Sequence, residues 1–495
     1  MLRRIKKYEH RLSDGRELIY YDDADTKLDP KRREDGRLVI YFNKISVQIG
    51  DPLIGDWVSV AVARQNRAYL PPAECDPLAP QCATNPGAEI PSCYDVAVFE
   101  NKSPAFGPLL EPPAWSPPQG LTELGTIGLG REMTSVGRCE VVCFTPEHSG
   151  SFGTFSPSRA RTIIEAWADR TAALSAIPNI QQIFPFANCG EAVTLHHPHG
   201  QIYAYPYITP RTQALIASLD KYGPSLFADI LLFEQSGERL VLAGDHWTAS
   251  DDVKLSVLRL NIPALLAHLA WADRTAALSA IPNIQQIFPF ANCGEAVTLH
   301  HPHGQIYAYP YITPRTQTLI TSLDKYGPSL FADILLFEQS GERLVLAGDH
   351  WTAFVPFAAR WPIEVHILPH RHIADIAATS EVERAELATV YLRVLRGIDE
   401  LYADGTPTPY TVAWHQAPVH VRRDEIRLMC QITSPRRAVD KLKFVAGSEA
   451  AMGAWVGDIV PELGAKSLRE AIQRADAEKS VGILPEDIVG IGQEA

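Results

Sequence analysis

The chain has 495 residues, 46% of them apolar and 21% charged, with 45 basic against 58 acidic side chains and a net charge of -13. That length is ample for a large core and for two to four domains, while the acidic balance disfavours nucleic acid or an anionic membrane as a partner, so any phosphate must be met by a local site. No apolar run is long enough to span a bilayer, the opening MLRRIKKYEHRL lacks a signal-peptide core, and eight sparse cysteines show no disulfide rhythm, which together predict a reducing, cytoplasmic setting.

Short apolar or β-branched segments bounded by Gly, Pro or Asp predict strands over 38–42, 57–63, 96–99 and 140–144. Residues 71–92, rich in proline and cysteine, read as a loop leaving the core. Ser156 before Pro157 is a helix start, and Ile163, Ile164, Trp167 and Leu174 continue it at helical spacing. Inside this helix begins a block of 84 residues, 166–249, that recurs as 270–353 at an offset of 104. Only two positions differ: Ala214 becomes Thr318, and Ala217 becomes Thr321. Solenoid repeats are shorter and diverge outside their buried pattern, so near-identity that includes surface positions points to a recent tandem duplication or a gene-assembly artefact.

Twenty unique residues, 250–269, join the copies. Among them Pro263 suits a first helical position, with Leu265, Leu266 and Leu269 extending the second copy's helix from it. Removing one offset of 104 leaves 391 residues. Farther on, Ser380 and Glu383 form a capping box that opens a helix with Leu387, Tyr391, Val394, Ile398 and Leu401 on one face. The chain reads as α+β in three parts, 1–249, 250–353 and 354–495.

The chemistry lies in the repeat. His197-Pro198-His199-Gly200-Gln201 follows Thr194 in copy one and recurs with His303 and Gln305 in copy two. In a strand His197, His199 and Gln201 share a face, and Gly200 admits close approach to the backbone. One neutral imidazole can attack phosphorus while a neighbour orients it or holds a metal, and an amide can bond a non-bridging oxygen. Taken alone, His-x-His reads equally as a metal-ligand pair or a surface accident.

Further segments follow in order: DPLIGDWV at 51–58, RQNR at 64–67, VFEN at 98–101 and FTPEH at 144–148. Beyond the repeat's end come DHW at 349–351, RWP at 360–362, WHQAP at 414–418 and KLKFVAGSE at 441–449. This series, with the His-Pro-His-Gly-Gln motif, resembles the galactose-1-phosphate uridylyltransferases, a branch of the histidine triad superfamily. The resemblance implies two histidine-triad-like halves, each a mostly antiparallel sheet with packed helices, plus the duplicated insert. It implies a double displacement in which His199 attacks the α-phosphorus of UDP-glucose, expels glucose-1-phosphate and passes UMP to galactose-1-phosphate.

By matched position the resemblance implies Gln201 on the phosphoryl oxygens and Thr194, Asn188, Asn101, Arg64 and Arg67 on the nucleotide side. As residue types alone, Arg64 and Arg67 have a second reading as a solvated basic patch beside a strand. Lys443, Phe444 and Glu449 match a segment that in the family reaches a partner's site, which implies a homodimer. Zinc is implied through Cys75, His148 and His197. The family's Cys-x-x-Cys pair keeps only its first member here, however, and the loop reads equally as one held without metal. Met429 and Gln431 stand beside His415 where the family has histidines, so a second metal site is expected to be absent. Ala187 and Cys189 replace an acidic and a basic residue of the family, which bears on nucleotide preference.

Copy two brings no second Arg64, Asn101 or His148, so it builds no independent site. Bringing His303 rather than His199 to His148 lengthens the closed loop from 51 to 155 residues, a cost of about 1 kcal/mol. Chain order therefore favours His199, with about one hundred residues extruded between the halves without a partner sheet. Two other readings are a related nucleotidyl transferase or phosphorylase with another nucleotide, and a catalytically impaired nucleotide-binding product of duplication.

Overall fold

The computed structural model describes residues 5–32, 34–35, 47–61, 72–107, 129–130, 132–178, 180–188, 195, 197–235, 240–243, 248–250, 258–263, 267–293, 303–457 and 459–480. The N-terminal half runs β1 (Lys6–Arg11), β2 (Glu17–Asp22), β3 (Val47–Gly50), β4 (Trp57–Val60), β5 (Val96–Glu100), β6 (Glu132–Thr134) and β7 (Arg138–Cys143). Helix α1 (Pro157–Ser175) then leads through β8 (Gln182–Ala187) to β9 (His199–Tyr205). Six of these strands make an antiparallel sheet in the order β1-β2-β5-β7-β9-β8. Its inner strands β2, β5 and β7 are apolar on both faces because both are covered, whereas the edge strand β1 is polar and largely exposed. Ile163, Ala166 and Leu174 of α1 pack on Val98, Val142 and Ile202, while Leu78, Ile90 and Tyr94 of the segment leading into β5 pack on Tyr20, Phe99 and Val141. The Ser156 side chain accepts from the Arg159 amide and fixes the start of α1, as its sequence predicts. The strand predicted at 38–42 lies outside the described residues.

The rest of copy one forms α2 (Pro210–Tyr222), α3 (Leu226–Gln235) and a two-stranded hairpin of β10 (Leu240–Ala243) and β11 (Thr248–Ser250). Beyond it lie β12 (Leu258–Pro263) from the junction, then α4 (Ala267–Ser279), β13 (Gln286–Cys293), β14 (His303–Tyr309), α5 (Pro314–Tyr326), α6 (Leu330–Gln339), β15 (Leu344–Ala347) and β16 (Trp351–Phe354). The C-terminal half adds β17 (Ile363–Pro369), α7 (Glu381–Asp399), β18 (Tyr410–His415), β19 (Met429–Ser434), β20 (Arg436–Ala438), β21 (Lys441–Leu442), α8 (Gly447–Met452), β22 (Trp455–Gly457) and α9 (Pro461–Ser480). The predicted capping box of Ser380 and Glu383 opens α7.

Copy two is not extruded. An eight-stranded sheet runs β12-β14-β13-β18-β19-β17-β16-β15, so the junction and the second copy supply one end of the C-terminal sheet and the second copy the other. Phe290 to Cys293 of β13 pair antiparallel with Ala413 to Tyr410 of β18. The expectation of a segment without a partner sheet fails because β18 offers an edge with matching hydrogen-bond groups. The junction also departs from its helical reading: Pro263 ends β12, opposite His303, and α4 begins at Ala267.

Alternation along the sheet divides two cores. Trp351, Val365, Trp414 and Ile432 face α4, α7 and α9. Phe354, Leu368 and Met429 face α5 and α6, together with Ile49 and Val58 of the N-terminal half. The halves are also joined by β22, which pairs in parallel with β4. Among the described residues, no helix is long and apolar enough to cross a membrane.

Gly397 lets α7 approach α9, since a Cβ there would fall on Ile472 and Leu468. Gly397→Val is expected to cost about 2–3 kcal/mol by overpacking, read as a lower urea midpoint with unchanged m-value.

Candidate active site

Strand β9 opens at His199, which pairs with Cys143 of β7, and Gln201 pairs with Val141. Only His199 and Gln201 lie in the strand; His197 precedes it, so the predicted three-residue face shortens to two. The His199 Nδ1–H donates to the His197 carbonyl at 2.7 Å. That bond fixes the tautomer and makes Nε2 the basic nitrogen. Gly200 has no room for a side chain: a Cβ would lie 2.7 Å from Phe144 Cζ and 2.8 Å from the Phe186 carbonyl oxygen. Asn101 Nδ2 stands 3.5 Å from Gln201 Oε1, while its own Oδ1 accepts from the Ser103 amide at 2.9 Å. Asn101 and Gln201 therefore share His199's side of the sheet.

Beneath the strand entry lies a group capable of holding a metal, formed by Asp76, His148 and His197. Asp76 Oδ2 is 2.8 Å from His148 Nδ1 and 2.7 Å from His197 Nδ1. On the far side of the His197 ring, Nε2 donates to the Thr145 carbonyl at 2.8 Å. The Tyr94 hydroxyl lies 3.0 Å from the same Nε2 and donates to the Leu78 carbonyl. With Nε2 protonated, a neutral His197 turns a lone pair from Nδ1 toward a carboxylate. Two acceptors face each other, which requires a cation between them, either a proton or a metal ion. Burial pushes the Asp76 pKa up, but hydrogen bonds and charge from His197, with further bonds from His148 and the Leu78 amide, hold it down at about 2. The carboxylate is therefore ionised at neutral pH and available as a ligand.

Cys75 ends the short 3₁₀ turn Ala73–Cys75 and is exposed, and the group includes its neighbour Asp76 but not Cys75. Cys82 and Cys93 are exposed and also lie outside it. Asp76 was visible as a hard oxygen donor beside Cys75, whereas no pattern marks Tyr94 or the Thr145 carbonyl.

Arg64, Arg67 and Thr194 lie outside the described residues. Asn188 Oδ1 accepts from the Gly447 amide at 3.1 Å, tying β8's exit to α8. Lys443 is buried, and its Nζ donates to the carbonyls of Arg360 and Val456 and to Glu449 Oε1, at 2.8, 2.7 and 2.8 Å. Glu449 also accepts from the amides of Ala446 and Val456. The pair therefore knots residues 443–456 together, and Phe444 and Val445 beside it are exposed. In copy two, His303 opens β14 and Gln305 pairs with Asn261 of the junction strand. His415 bonds Gln431 Oε1 at 2.8 Å, and Gln431 Nε2 donates to Glu364 Oε1 at 2.7 Å. Burial and the positive charge of Arg315 push the His415 pKa well down.

Gly200→Ala is expected to cost about 2–4 kcal/mol and displace His199, because the Phe186 carbonyl belongs to the paired backbone and cannot yield. A urea midpoint and the rate of His199 modification by diethyl pyrocarbonate read both effects.

The family model described as galactose-1-phosphate uridyl transferase, N-terminal domain, matches residues 44–209 and 251–313. Its C-terminal counterpart matches 318–478. The galactose-1-phosphate uridylyltransferase of Streptomyces lividans is 32% identical over 483 residues, covering 94% of this chain and 98% of its own. That of Thermotoga maritima is 27% identical, covering 85% of this chain and 96% of its own. A structure titled "Structure of uridylyltransferase" aligns at 21% identity over 86% of this chain and 99% of its own, with a TM-score of 0.39.

Proposed function

The chain belongs to the galactose-1-phosphate uridylyltransferase family, and we propose that it moves the uridylyl group from UDP-glucose to galactose-1-phosphate through His199 of the first copy. The observation that carries this reading is the 2.7 Å bond from His199 Nδ1 to the His197 carbonyl. In the first step His199 Nε2 bonds the α-phosphorus while the bond from that phosphorus to the glucose-1-phosphate oxygen breaks. The ring becomes cationic, and the His197 carbonyl stabilises the positive charge at Nδ1. In the second step a phosphate oxygen of galactose-1-phosphate attacks the same phosphorus, and the P–N bond returns its electron pair to Nε2. Gln201, steadied by Asn101, would donate to a non-bridging oxygen throughout.

Asp76, His148 and His197 would hold zinc, which when bound fixes the loop entering β9 and hence the carbonyl that orients His199. Arg64, Arg67, Thr194 and Asn188 would serve the nucleotide. A homodimer, in which exposed Phe444 and its segment contribute to a partner's sugar-phosphate site, and a cytoplasmic setting belong to the same reading.

Incubation with UDP-glucose labelled in the α-phosphate should leave a covalent adduct on the wild type and on His303→Ala, but none on His199→Ala. Loss of the adduct only in His303→Ala would move the nucleophile to copy two, and loss in neither would refute a covalent histidine here. Asp76→Asn is expected to reduce bound zinc, measured by elemental analysis, to less than about a tenth, and turnover by about 10–100-fold.

A further inference from the structure

Helices α2 and α3 of copy one carry the same apolar residues as α5 and α6 of copy two, yet only the second set is covered. Phe331, Ile334 and Leu335 are 3%, 5% and 6% exposed, whereas Phe227, Ile230 and Leu231 are 55%, 46% and 44% exposed. What covers copy two is a cradle to which both halves contribute, including Ile49, Leu53 and Val58 on one side and Phe354, Leu368 and Met429 on the other. The two positions that distinguish the copies, Thr318 and Thr321, are exposed on α5. The faces offered to the cradle are therefore identical, side chain for side chain.

The uncovered pair also starts beside the cradle. Gln48 Nε2, one residue from Ile49 on β3, donates to the Tyr207 hydroxyl at 3.0 Å, at the exit of β9. Pro210, the first residue of α2, lies against Gly453, where a Cβ would stand 3.5 Å from the proline Cβ. Two residues farther on, Trp455 packs on the cradle. Residues 206–209 before α2 and 310–313 before α5 lie outside helices and strands, so each pair can turn on the segment that precedes it.

We propose that α2–α3 and α5–α6 are alternative occupants of this single cradle and exchange within the chain, one pair docked and the other spare. Identical contact faces give the two arrangements near-equal contact free energy. The tether to β9 holds the spare pair at a high effective concentration near the cradle. Two packings of one sequence at similar energy make a bistable element rather than a fixed joint.

The test uses the full chain with Phe227→Asp, Phe331→Asp and both together, unfolded in urea. Exchange predicts that either single change lowers the folded-to-unfolded ratio only about twofold, since it removes one of two equivalent states, while the double change lowers it more than about a hundredfold. If Phe331→Asp alone is as damaging as the double and Phe227→Asp is silent, docking is fixed and the proposal fails. A thiol at Leu231→Cys gives a second readout that does not depend on a clean melt. Adding Phe331→Asp should slow its maleimide labelling at least about tenfold as α3 takes the cradle; unchanged or faster labelling overturns exchange. If instead the wild-type mass in solution is halved by Phe227→Asp, the spare pair is seated on a second copy of the chain, and exchange within one chain is likewise overturned.

Discussion

Asp76 Oδ2 meets the ring nitrogens of His148 and His197 at 2.8 and 2.7 Å, and the entry to β9 depends on that grip. The His197 ring is held on one side by the carboxylate and on the other by the Thr145 carbonyl, so its backbone carbonyl has a fixed direction. That carbonyl in turn sets the tautomer of His199. The loop carrying Asp76 supplies Leu78 and Tyr94 to the core on one face of the sheet, so the site's electrostatics and the sheet's packing rest on the same excursion. A charge placed there serves position first and chemistry second.

One sequence written twice shows how little of a fold is local. Trp167 of α1 lies in an aromatic group with Phe144 and Phe152, while its copy Trp271 meets Trp414 edge-on, 5.9 Å away. Both copies form the same strand-pair register, Gln182 opposite Tyr205 and Gln286 opposite Tyr309, because the pairing lies within the block. What differs is the neighbour. Next to β9 is β7 of the N-terminal sheet, and next to β14 is the junction strand. Local sequence determines the hairpin, and the surroundings determine its address.

Legibility from sequence follows the same division. The start of α1 at Ser156 and the capping box of α7 were readable because each depends on a few adjacent residues. The strands at β5 and β7 were readable from apolar runs between turn residues. The fate of copy two was not, since pairing of β13 with β18 depends on an edge more than one hundred residues away in sequence. Pro263 misled because a proline suits both the first turn of a helix and the end of an edge strand. Spacing alone does not say which of the two adjacent donors, Cys75 or Asp76, faces inward.

The junction strand β12 has a wider meaning. Its residues 258–263 derive from neither copy, yet they pair with β14 residue for residue, Leu258 opposite Ala308 through Pro263 opposite His303. Backbone pairing of this kind asks only for a short extended stretch that a neighbour's amides can reach. A sheet of this type is therefore permissive toward accidents of replication or assembly: almost any half-dozen extended residues at a breakpoint can be enlisted as a seam. Genes encoding such sheets can lengthen by whole hairpins without first evolving a new partner for them, and the same seam is a natural place to splice a foreign segment by design.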